Sequence, residues 1–111
     1  MRPHSILILD DDDLRGRALT RIYSRKYAES FIVLVKTHQE AAGYLARMPF
    51  DMVTLDHDLG TEHTGLDTAR YIAQMLQPPP EVFVHSSNPV GADNMVQVLQ
   101  TAGVNVKRVG L

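Results

Sequence analysis

Short apolar runs alternate with amphipathic stretches along this chain, and the alternation predicts five strands and four helices. Ile6 to Leu9 is a continuous apolar run that ends in acids, the pattern of a strand buried on both faces of a parallel sheet. Leu14, Ala18 and Ile22 then recur at i, i+4 and i+8, with Leu19 and Tyr23 beside them. This predicts an amphipathic helix, capped by Asp12 or Asp13. Phe31 to Val35 reads as a second strand. Thr37-His38-Gln39-Glu40 has the spacing of a capping box and opens a helix that packs Ala41, Tyr44, Leu45 and Met48. Asp51 to Leu55 is a third strand running into Asp56. After a loop from Gly60 to Gly65, Leu66, Ala69, Ile72, Ala73 and Leu76 mark a third helix capped by Thr64. Pro78-Pro79-Pro80 separates it from a fourth strand, Glu81 to Val84. Asn88-Pro89 starts a fourth helix, since Asn accepts from orphan amides and Pro fits where no amide is needed. Its inner face is Ala92, Met95, Val96, Leu99 and Ala102, Gly103 ends it, and Val104 to Val109 is a fifth strand.

Strands alternating with helices predict an α/β fold: a three-layer, doubly wound, parallel five-stranded sheet with right-handed crossovers and strand order 2-1-3-4-5. Such sheets bind ligands outside the carboxyl ends of their strands, at the switch point between the first and third. Both acid clusters of the sequence fall at those two ends.

Composition narrows the class without changing the fold. The 111 residues carry 11 Lys plus Arg and 13 Asp plus Glu, a net charge of −2, and the length suits one domain over residues 1–111 with a core of its own. The absence of cysteine removes disulfides, thiolate metal sites and cysteine nucleophiles. The longest apolar run, Phe31 to Val35, is far too short to span a membrane, and Met1 to Leu9 lacks the pattern of a secretory leader, so a cytoplasmic location is expected. Arg15, Arg17, Arg21, Arg25 and Lys26 follow the first acid run and read as a solvated helix face that partly balances it. No basic, aromatic-studded groove of the DNA-binding kind is present.

The candidate chemistry lies at the predicted strand ends: Asp10 to Asp13, then Asp56, His57 and Asp58, then His85, Ser86, Ser87 and Asn88. Three or more carboxylates in one pocket repel each other unless a hard divalent cation sits among them, which implies Mg²⁺ or Mn²⁺ held by Asp10, Asp11, Asp56 and Asp58. A bound metal in turn implies an anionic substrate, and phosphate is the natural one. Asp58 is also open to a simpler role in the turn before Gly60. His57 and His85 stand where these acids end, placed for proton transfer. His4 and His38 read as structural, and Asn88 as a cap that is also able to meet substrate.

Ile6-Leu7-Ile8-Leu9-Asp10-Asp11-Asp12 and Asp51-Met52-Val53-Thr54-Leu55-Asp56 resemble the first and third strands of response-regulator receiver domains, a flavodoxin-like topology. The resemblance implies that Asp10 and Asp11 bind Mg²⁺, that Asp56 is the phosphoacceptor position, and that Ser86 or Ser87 contacts the phosphoryl group. Receivers follow their fifth strand with a Lys-Pro pair, whereas Lys107 is followed by Arg108. They also end in a fifth helix, for which this sequence has no segment. An apolar strip beside strand five is then expected, either exposed or covered in a homodimer.

The additional motifs, Leu55-Asp56-His57-Asp58-Leu59-Gly60 and His85-Ser86-Ser87-Asn88-Pro89, are similar to a divergent branch, the cyclic-phosphate-processing receiver-like domains. That resemblance implies a metal-dependent phosphoesterase acting on a cyclic phosphate of a nucleotide or an RNA end. Its catalytic residues would be Asp56, His57 and His85, with phosphate contacts from Ser86, Ser87, Asn88 and Lys107. The alternative is a single-domain receiver phosphorylated on Asp56. Two other classes fall away: an Asp-x-Asp phosphatase lacks its hydroxyl residue after the second aspartate, and a calcium loop starting at Asp56 has Thr61 where glycine is needed.

Overall fold

The structure is a computed structural model that describes residues 3–75 and 77–110. Five strands and four helices alternate: β1 (Ser5–Leu9), α1 (Asp13–Lys26), β2 (Phe31–Val35), α2 (His38–Arg47), β3 (Met52–Leu55), α3 (Gly65–Ala73), β4 (Glu81–Val84), α4 (Pro89–Thr101) and β5 (Val106–Arg108). The strands form one parallel sheet in the order β2-β1-β3-β4-β5. No helix among the described residues is long and apolar enough to cross a membrane.

The sheet is covered unequally. Successive strand side chains point to opposite faces, so Leu7, Leu9, Val53, Leu55, Val82 and Val84 meet α2, α3 and α4 in the larger core. Ile6, Ile8 and Met52 meet Leu19 of α1 in the smaller one, with Tyr23, Tyr27 and Phe83 packed alongside. Ile6 to Leu9 are wholly buried, as the unbroken apolar run predicts.

The helix starts follow the expected capping chemistry. Asp12 caps α1 by accepting the Arg15 amide, Thr37 caps α2 through the Glu40 amide, and Asn88 caps α4 with Pro89 at its first position. Thr64 and Asp67 form a reciprocal capping box on α3. Of the stripe predicted for that helix, Leu66, Ala69 and Ile72 pack into the core, while Leu76 lies outside the described residues.

Three expectations need correction, the smallest being Ala102, which is the exposed C-cap of α4 and does not line its inner face. The Leu14, Ala18, Ile22 stripe does not face the sheet: Leu14 is 77% and Ile22 55% exposed, and the buried residues of α1 are Gly16 and Leu19. The reason is Gly16, where an added Cβ would stand 3.0 Å from the Leu34 side chain. The helix comes down on the sheet at this bare point, which turns the opposite stripe outward. Ala18 and Ile22 instead line a shallow groove of about 290 Å³ with Leu19, Tyr23 and Val109. The fifth strand is also shorter than the predicted Val104 to Val109. Gly103, with φ of 79°, donates to the Gln100 carbonyl, and Val104 donates to Leu99. These are the two bonds of a Schellman stop, so buried Val104 ends α4 instead of entering the ladder.

Candidate functional site: an acidic pocket at the strand ends

Leu9, Leu55 and Val84 are in register across β1, β3 and β4, and the next residue of each strand is Asp10, Asp56 and His85. The pairing extends through them, with Asp56 N donating to Leu9 O and His85 N to Leu55 O, both at 3.0 Å. Alternation then sends all three side chains to the α1 face of the sheet. Each is almost fully buried, at 1%, 3% and 1% exposure.

Asp10 is the most heavily bonded member. Its Oδ1 accepts from the Asp12 amide and from Arg15 Nη2, and its Oδ2 accepts from Arg15 Nε at 2.6 Å and His85 Nε2 at 2.9 Å. Burial pushes its carboxyl up, but the His85, Arg15 and Asp12 bonds outweigh that and hold it at about 2. Asp56 has fewer partners: Oδ1 accepts the His57 amide and Oδ2 accepts Arg15 Nη2, each at 2.9 Å. Its carboxyl is raised, first by burial and then by the charge of Asp10, with Arg15 and His85 only partly offsetting them.

Asp10, Asp11 and Asp56 together present carboxylate oxygens within 4.8 Å of one another. This all-oxygen donor set fits a hard divalent cation. Asp11 is exposed, and Gly60, at φ of 68°, brings the loop close enough that a Cβ there would be 3.3 Å from Asp11 Oδ2.

Asp58, expected as a fourth ligand, is outside this group. The turn after Asp56 carries it toward the start of α4, where it lies 2.7 Å from His57 Nδ1 and accepts from Asn88 Nδ2 at 3.2 Å. Those two bonds hold its carboxyl below the usual range. A carboxylate only accepts, so His57 Nδ1 donates to Asp58. The His57 ring packs on Gly91, where an added Cβ would fall 2.4 Å from its Cγ.

His85 also differs from its expected role. Its side chain is fully buried and both nitrogens are engaged, Nε2 with Asp10 and Nδ1 with Thr54 Oγ1 at 2.5 Å. It holds Asp10 in place and presents no free nitrogen to a substrate. Among the other expected residues, Ser86 accepts the Asn88 amide, Ser87 is exposed, and Asn88 caps α4 through the Gly91 amide. Lys107 is exposed on β5 opposite Phe83, two residues short of the Asp10–Asp56–His85 row, and Arg108 pairs with Asp93. His38 bonds Thr68, and His63 pairs with Asp67, away from the pocket.

Three participants are not evident from motif reading. Thr54 is the one polar residue inside an apolar strand, two before Asp56 and so on the same face. Arg15, expected on a solvated helix face, lies one helical turn past the first acids and turns inward onto Asp10 and Asp56 instead. Gly65 begins α3 so close to β3 that a Cβ would stand 1.9 Å from the Asp56 carbonyl oxygen, and its amide donates to His57 O at 2.9 Å.

The fold is widely shared among receivers. A response regulator from Burkholderia pseudomallei, whose structure contains a phosphorylated aspartate, calcium and citrate, matches at 20% identity with a TM-score of 0.74; the match covers 96% of this chain and 58% of that one. A CheY-like receiver from Methylobacillus flagellatus matches at 12% and 0.75, covering 96% and 85%. The receiver of a DNA-binding response regulator from Colwellia psychrerythraea 34H matches at 19% and 0.77, covering 96% and 84%. No curated protein matches the sequence. Residues 5–101 match a family description directly, and the chain therefore belongs to the cyclic-phosphate processing receiver domain family.

Proposed function

We propose that this pocket hydrolyses a cyclic phosphodiester, such as a 2′,3′-cyclic phosphate on a nucleotide or an RNA end. The observation that carries the reading is the chain Asn88–Asp58–His57, joined to the three-carboxylate cluster by the His57 amide, which donates to Asp56 Oδ1. A plain phosphoacceptor needs no oriented imidazole, whereas ester hydrolysis needs a group that moves protons. Asp58 fixes the proton on His57 Nδ1, which leaves Nε2 to accept a proton from water as the water oxygen bonds to phosphorus. The bond from phosphorus to one ring oxygen breaks, and His57 returns the proton to that leaving oxygen, giving a phosphate monoester. Asp10, Asp11 and Asp56 hold the divalent cation, Mg²⁺ or Mn²⁺, which supplies charge neutralisation at the phosphate oxygens. Ser86 and Ser87, after β4, steady the phosphate. Asp10 stays in position through His85.

A second reading, an aspartyl-phosphate receiver, is favoured by the place of Asp56 at the end of β3 and by the likeness to receiver structures. Phosphorus NMR separates the two, with Mg²⁺ or Mn²⁺ present and acetyl phosphate or 2′,3′-cyclic nucleotides supplied in parallel samples. The expected result is conversion of the cyclic resonance to a monoester at many turnovers per protein. Turnover should fall about 100-fold or more in His57→Ala, on the scale of a lost acid–base group, and vanish in Asp56→Asn. A protein-bound acyl phosphate with the cyclic esters untouched overturns the esterase reading.

A further inference from the structure

Arg15 occupies the heart of the acidic pocket. Its Nη2 lies 3.0 Å from Asp10 Oδ1 and 2.9 Å from Asp56 Oδ2, so one nitrogen bridges the two buried carboxylates, while Nε takes the second oxygen of Asp10. That bridging position is the one a cation shared by Asp10 and Asp56 would need. A divalent ion sits roughly 2.0 to 2.6 Å from its oxygen ligands, and a guanidinium at hydrogen-bond distance from the same oxygens excludes it by volume and by like charge. Both cannot occupy the pocket together.

The surroundings decide which partner moves. Asp10 is anchored by the Asp12 amide and by His85, and Asp56 by the His57 amide. The Arg15 backbone is fixed by the Asp12 cap. Its side chain is different: it reaches in from the rim, is 29% exposed, and lies on a long flexible stem beside the groove formed with Ala18 and Ile22. Asp11 makes no hydrogen bond among the described residues and remains available for an arriving ion.

We propose that Arg15 is an internal counter-ion, closing the acidic pocket without metal and swinging out when a divalent cation binds Asp10, Asp11 and Asp56. The pocket alternates between an arginine-closed form and a cation-loaded form, and metal affinity is set by this exchange. The proposal rests on the reading of the three carboxylates as a cation site, but on no particular substrate.

The test uses the metal alone. Mn²⁺ binding to the native chain and to Arg15→Gln is measured by electron paramagnetic resonance of free Mn²⁺, with thermal unfolding in chelator as a check on folding. The expected result is binding at least ten-fold tighter in Arg15→Gln, together with a lower melting temperature without metal. A proton–nitrogen spectrum of native protein titrated with diamagnetic Mg²⁺ provides a second readout that needs no variant in the titration. The Arg15 Nε–Hε resonance, assigned by its loss in Arg15→Gln, should move toward the position of a solvent-exposed arginine as Mg²⁺ is added. Equal or weaker Mn²⁺ binding by the variant, or an Arg15 resonance unmoved at Mg²⁺ saturation, overturns the exchange while leaving the cation site standing. Absence of Mn²⁺ binding in both proteins overturns the exchange and the cation site together.

Discussion

Asp10 and Asp56 occupy equivalent strand ends, yet their surroundings push them in opposite directions. Asp10, held at about 2 in the fold, titrates near 3.9 in an unfolded chain. Its stabilising contribution is therefore almost complete above about pH 4 and is lost as the pH falls toward 2; a shift of this size corresponds to about 2 to 3 kcal/mol. Asp56, raised by burial and by Asp10, has the opposite sign and favours the fold as the solution is acidified through its own range. Metal-free protein unfolded with urea should thus lose stability between pH 4 and 2, after little loss or a small gain just above that range. A steady decline beginning near pH 6 would contradict this assignment. Both aspartates were legible in the sequence, because an apolar run ending in acids fixes strand, face and rim at once. The role of His85 was not, since it depends on Thr54, which pairs across the sheet with Phe83, two residues before His85, a diagonal contact that no linear motif displays.

Helix starts shape the site as much as strand ends do. Gly65 and Gly91 each open a helix against functional backbone or ring atoms, and the space for a methyl group differs between them. At Gly65 the obstacle is the Asp56 carbonyl itself. Alanine there should destabilise by roughly 1 to 3 kcal/mol through overpacking, against the usual gain of about 1 kcal/mol for replacing helical glycine. At Gly91 the obstacle is the His57 ring, a side chain that rotates about χ1 where a backbone carbonyl cannot. Gly91→Ala should keep most of the stability but lose turnover, as the imidazole leaves Asp58. Urea unfolding of both variants beside the phosphorus assay checks the contrast, and comparable stability losses would refute it. Caps at Asp12, Thr37, Thr64 and Asn88 were readable from residue type alone, because capping is local chemistry. The facing of α1 was not: its strongest apolar spacing, Leu14, Ala18 and Ile22, points outward because Gly16 sets the closest approach to Leu34. Periodicity reports an apolar stripe without reporting which stripe meets the sheet.

Across the whole molecule the two layers of helix are unequal, with α2, α3 and α4 sealing one face and α1 alone sealing the other. Regions with fewer buried apolar contacts open at lower free energy. Hydrogen exchange should therefore find α1 amides exchanging well before those of β3 and α4, and equal protection of all three would contradict the two-core picture. Strand order and the switch-point location were legible from the strand–helix rhythm, since right-handed crossovers leave few other solutions. The row Asp10–Asp56–His85 has a consequence for how such a site can change over evolution. Each member is one residue past a paired position, so deleting or inserting a single residue within β1, β3 or β4 would reverse that side chain to the opposite surface. The strands act as a ruler that tolerates substitution but forbids slippage. Diversity in what the pocket accepts must then arise from the connecting turns and helix starts, whose lengths can vary without moving the row.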